Sequence, residues 1–102
     1  MLRTETSTER LVRAVLEHRV AQFTYHGLHR TVEPHLIGLH GAGEPLLVAY
    51  QTAGESRSGE VPGWRTFVTT EIESVDAEGE TFGPRPGFTP EAHGMVEIFA
   101  RA

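Results

Sequence analysis

The chain contains no cysteine. That excludes a disulfide scaffold, a cysteine-bound zinc and a thiol nucleophile. Lysine is missing too, so all nine basic residues are arginines, each a planar, permanently charged fork. Aspartate occurs once, at Asp76. No apolar run approaches the ~20 residues that a membrane-spanning helix needs. The polar opening stretch, Met1 to Glu9, has no signal-peptide pattern. A cytoplasmic protein with no membrane role is the expectation. A formal net charge of −5 argues against a general duplex binder, whose affinity comes largely from neutralising phosphates.

What is present fits one small domain with a modest core: 102 residues, 38% of them hydrophobic. Thr6 with Glu9 makes a capping box. The stripe Leu11, Val12, Val15 and Leu16 then predicts an amphipathic helix. From Val20 the period drops to two, with Ala21, Phe23 and Tyr25 on one strand face. Gly27 marks a turn, flanked by His26 and His29. A second strand spans Arg30 to Leu39, with Pro34 calling for an edge or a bend. Gly41-Ala42-Gly43-Glu44 reads as a tight turn, Leu46 to Gln51 as a central strand and Thr52 to Gly63 as a loop. Trp64 to Thr70 is a fourth strand, Glu71 to Val75 a turn or helical bend, and Ser74 to Phe82 the remnant of a last strand. Beyond it, Gly83-Pro84-Arg85-Pro86-Gly87 reads as a stiff extended connector. Thr89-Pro90-Glu91 has helix-start chemistry. Met95 to Ala100 is strand-like and needs burial, against the sheet or against another copy of the chain.

Chemistry-bearing patterns are few. Ser7, Ser56, Ser58 and Ser74 stand outside any Gly-x-Ser-x-Gly elbow, and no paired carboxylates suggest acid–base work, so no enzymatic activity is expected. Six histidines are many for this length. Four of them, His26, His29, His35 and His40, fall on or near the first two strands without a metal-site spacing. Neither a metal nor a cofactor is expected.

Several stretches, in order, resemble the WYL domain family: Phe23-Thr24-Tyr25, Arg30-Thr31-Val32-Glu33-Pro34-His35, Leu47-Val48-Ala49-Tyr50, Arg65-Thr66-Phe67 and Ile72-Glu73-Ser74-Val75. With the preceding helix they run from about Leu11 to Phe82. The Trp-Tyr-Leu run that names the family falls here on Pro45-Leu46-Leu47, and Glu71 stands where many members carry a second arginine. The resemblance implies a mostly β (α+β) fold, an Sm-like or SH3-like antiparallel barrel of about five strands with an N-terminal helix. Residues 1–82 would form that barrel, and 83–102 a C-terminal extension packing on it or on another subunit.

The resemblance also implies a ligand-sensing role in regulation. Tyr25, Arg30, His35 and Arg65 correspond to positions on a proposed anion-binding face, for a nucleotide or short single-stranded nucleic acid. The residue types suit that ligand: arginines grip phosphate oxygens bidentately, and tyrosine offers a hydroxyl and a stacking face. Trp64 is a further candidate, either as a stacking platform or as packing. A partner protein would carry the DNA-binding element that family members usually have in the same chain. The competing reading pairs Arg30 and Arg65 with Glu33, Glu71 or Glu73 and leaves a structural, oligomerisation or protein-interaction module.

Overall fold

A computed structural model describes residues 5–41, 43–56, 61–88 and 94–102. Helix α1 (Ser7–Glu17) starts where the sequence places it. Thr6 Oγ1 accepts the Glu9 N–H at 3.1 Å, and the Glu9 carboxylate accepts the Thr6 N–H at 2.9 Å. His18 ends the helix in the left-handed conformation. The buried stripe is Leu11, Ala14 and Val15, with Val12 partly buried and Leu16 62% exposed. The contact face is therefore centred on Leu11, Ala14 and Val15, and Leu16, about 100° further round the helix than Val15, points away from it.

Six strands form one antiparallel sheet: β1 (Ala21–Tyr25), β2 (Leu28–His40), β3 (Glu44–Gly54), β4 (Gly63–Val68), β5 (Ile72–Asp76) and β6 (Met95–Arg101). The order is β4-β3-β2-β1-β5, with β6 alongside the second half of β2. β2 is the spine: its first half pairs β1, its second half pairs β6, and from Arg30 to His40 it pairs β3. His26 and Gly27, both at positive φ, make the β1–β2 turn. Pro34 sits where expected, at an irregularity: the register with β3 slips between Pro34 and Leu36, leaving His35 as the extra residue. Among the described residues no ladder joins β4 to β5, so the pairing describes a bent open sheet, and the expected barrel closure has no ladder behind it. No described helix is long and apolar enough to cross a membrane.

Several boundaries differ from the sequence reading. β3 runs on to Gly54 because its partner β2 already begins at Leu28, and the pairing reaches Arg30↔Gly54. β4 stops at Val68, where a 3-10 turn over Thr69–Glu71 leads directly into β5. The expected last strand, Ser74 to Phe82, is strand only as far as Asp76, and β5 begins at Ile72, where a turn or bend was expected over Glu71 to Val75; beyond Asp76 the segment makes the bridge Arg19↔Thr81. Ala42, the loop residues 57–60 and the helix start at Thr89-Pro90-Glu91 lie outside the described residues.

The core lies between α1 and one face of the sheet. Leu11, Val15, Phe23, Val32, Ile37, Leu47, Phe67 and Ala100 are each at most 5% exposed. Phe67 meets Phe23 and Tyr25 edge-on, at 5.0 and 4.9 Å between centroids. The Tyr25 hydroxyl accepts the Val68 N–H at 3.1 Å. These contacts draw β4 towards β1 across the core and bend the sheet.

Candidate functional site

The registers settle which candidate residues share a face. Arg30 lies opposite Phe23 on β1, and Arg65 opposite Ala49 on β3. Phe23 and Ala49 are core residues, so both arginines stand on the core-facing side of the sheet, with Tyr25. Gln51 lies between them on the same side, two residues along β3 from Ala49. His35 and Trp64 belong to the opposite face, in contact with each other and with Phe88, and Trp64 also meets Tyr50. The five candidates thus divide three and two.

On the inner face Arg30 is only 5% exposed. Its guanidinium lies 5.5 Å from the Tyr25 ring centre and 5.7 Å from that of Phe67. It donates long hydrogen bonds, both 3.4 Å, to Gln51 Oε1 and to the Tyr25 carbonyl. Gln51 is itself fully buried and fixed, its amide nitrogen donating to the carbonyls of Ala53 and Glu55. Arg65 is half-buried; its Nε donates to Ser56 Oγ at 3.2 Å and a terminal nitrogen donates to the Trp64 carbonyl at 2.8 Å. Two carboxylates suggested as arginine partners are engaged elsewhere: Glu33 binds Arg85, and Glu71 binds His26. The arrangement offers two cations and a tyrosine at one end of the concave face, the donor chemistry that an anion takes.

On the outer face, Glu33, Tyr50 and Trp64 form a cross-strand row over β2, β3 and β4. Residues 82–88 lie on it. Arg85 Nε and a terminal nitrogen donate to the two Glu33 carboxylate oxygens at 2.8 and 3.3 Å. The same guanidinium sits 3.7 Å above the Tyr50 ring centre. Phe88 stacks on Trp64 at 5.2 Å. His35 is fully buried beneath these rings. Its Nδ1 donates to the Glu33 carbonyl at 2.8 Å, and its Nε2 accepts the Arg85 N–H at 3.1 Å, which fixes a neutral tautomer. Burial pushes this imidazole below its ordinary pKa, with the Glu33 contacts opposing and the charges of Arg85 and His18 reinforcing.

Residues 83–87 are therefore not a plain extended connector. Pro86 and Gly87 form a turn, with Gly87 at φ 84°; Pro then Gly in the two central positions is the type II signature. Glu33, Tyr50, Arg85, Phe88 and, on the other face, Gln51 are functional candidates that the sequence reading passed over. The Pro-Gly pair was the available signal for the tail. The histidines are dispersed: His26 pairs Glu71, His29 contacts Gln22 at 3.1 Å, and among the described residues no group of three or more metal-type side chains is gathered. Comparison of the chain with protein-family models, with curated proteins and with solved structures finds no match in any of the three.

Proposed function

We propose that this protein is a non-catalytic binding module of WYL-like, Sm-type character that takes an anionic ligand, a nucleotide or short single-stranded nucleic acid, at the arginine-bearing end of its inner face. The observation that supports this reading is the register that puts Tyr25, Arg30, Gln51 and Arg65 on one concave side. Gln51, the Tyr25 carbonyl and two aromatic rings hold Arg30 in place, so its guanidinium is positioned in advance, and a site with little left to organise loses less on binding. Arg65, half-buried, is the cation a ligand meets from solvent. A sensing role then works through a partner that carries the DNA-contacting element.

Calorimetric titration with a nucleoside triphosphate and with a short oligothymidylate tests it. The expected result is saturable heat from at least one of them, weakened about tenfold or more by Arg65→Ala, as loss of a charge-assisted contact of ~1.5–3 kcal/mol requires. Arg65 is the residue to change because Arg30 is part of the buried structure. No heat from either probe, or equal affinity in the variant, sinks the reading.

A further inference from the structure

We propose that the outer groove of Glu33, His35, Tyr50 and Trp64 is a docking site for peptide segments that present an arginine and an aromatic ring from a Pro-Gly turn, and that the chain's own Arg85-Pro86-Gly87-Phe88 fills it in the free protein. The groove lies on the sheet face opposite Arg30 and Arg65, so it is independent of the anion reading. Its geometry is that of a two-pronged socket. Neighbouring strands run ~4.8 Å apart, which sets the spacing of Tyr50 and Trp64. A β-turn brings its first and fourth residues within ~7 Å, so Arg85 and Phe88 leave the turn side by side and reach the two adjacent rings.

Recognition centres on these two side chains, with the Arg85 N–H on His35 Nε2 and the half-buried Phe82 ring against His35 beside them. Arg85 receives a carboxylate and an aromatic face together, Phe88 receives the Trp64 ring, and the intervening Pro86 and Gly87 are exposed, as are Gly83 and Pro84. Arginine and aromatic anchors seated in pockets, with little else buried, are the pattern of peptide recognition. Broad sheet packing distributes its contacts over many residues. An acidic and aromatic socket selects a guanidinium over other side chains, because only the planar cation satisfies Glu33 bidentately while lying flat on Tyr50.

The experiment uses the full chain carrying Arg85→Ala with Phe88→Ala, which withdraws both prongs and leaves the socket intact. A synthetic peptide of residues 82–88 is titrated into it and followed by calorimetry and by the fluorescence of Trp64. Saturable binding is expected, at least tenfold tighter than to the unsubstituted chain, whose own segment competes. Adding Glu33→Gln, or replacing the peptide's arginine by alanine, is expected to reduce that binding at least tenfold. If the doubly substituted chain does not fold, Arg85→Ala alone is titrated in its place. Absence of binding to the folded variant, equal binding to the unsubstituted chain, or indifference to Glu33→Gln overturns the proposal, and the tail is then packing only.

Discussion

Arg30 shows how one side chain serves both fold and site. A guanidinium at 5% exposure is costly to desolvate, and here it is embedded between two rings with Gln51 supporting it. Arg30→Met keeps the length and apolar stem but removes the donors, leaving the Gln51 carbonyl oxygen and the Tyr25 carbonyl to find other partners. The expected loss is about 1–3 kcal/mol, read as a lower urea midpoint at unchanged slope. Opposite it, Gly54 is required for a different reason. Its φ is 94°, and a Cβ there would collide with the His29 carbonyl oxygen. Gly54→Ala should therefore cost a further ~1–3 kcal/mol by distorting the end of β3 where it flanks Arg30. A Gly54→Ala chain with the parent's thermal midpoint would show that this end of the ladder relaxes without strain.

At the scale of elements, what could be read from the sequence was what is local. The capping box at Thr6 and Glu9, the alternation Ala21-Phe23-Tyr25, the turn after His26 and the strand at Met95 each depend on a few neighbouring residues. The outer socket does not. Glu33, Tyr50 and Trp64 become neighbours only through the register of three strands, and His35 joins them only because the bulge beside Pro34 adds a residue. Periodicity alone carries no signal for that. The resulting latch has a built-in dependence on acid. His35 Nε2 accepts the Arg85 N–H; once protonated it becomes a second donor facing the first. Because burial depresses the folded pKa below its ordinary value of roughly 6.5, the unfolded or undocked chain binds more protons in that interval. The His35 contribution is complete above the ordinary value and is lost as pH falls through the folded one. Trp64, 4.8 Å from the imidazole and stacked on Phe88, reports the release. Its emission should change on acidification below about pH 6.5, and His35→Gln should flatten that change. An emission profile identical in both chains would assign the transition to another group.

For the whole molecule the question is whether residues beyond Phe82 are an appendage or part of the cooperative unit. β6 pairs the second half of β2 at five positions, Ala100 is buried in the core, and the Ala102 N–H donates to the His35 carbonyl at 2.8 Å. The tail thus ties the bulge of β2 from both sides, through Arg85 on the outer face and Ala102 at the strand end. A domain of this size has only about 5–15 kcal/mol of stability in all, and removal of β6 uncovers Ile37 and the β2 edge together. A chain ending at Phe82 should lose several kcal/mol, of the order of what unpairing one strand and exposing one large core side chain costs. Truncation alone confounds loss of β6 with loss of the latch, but Gly38 separates them. It lies opposite Ile98, and a Cβ at this position would run into the Glu97 carbonyl oxygen. Gly38→Ala adds one carbon, leaves residues 82–88 in place and forces β6 away from β2. If β6 belongs to the cooperative sheet, this single change lowers the urea midpoint by a large share of the truncation's effect, while Trp64 emission stays parental at neutral pH. A parental midpoint for Gly38→Ala would instead make β6 a strand that the rest of the sheet does not need.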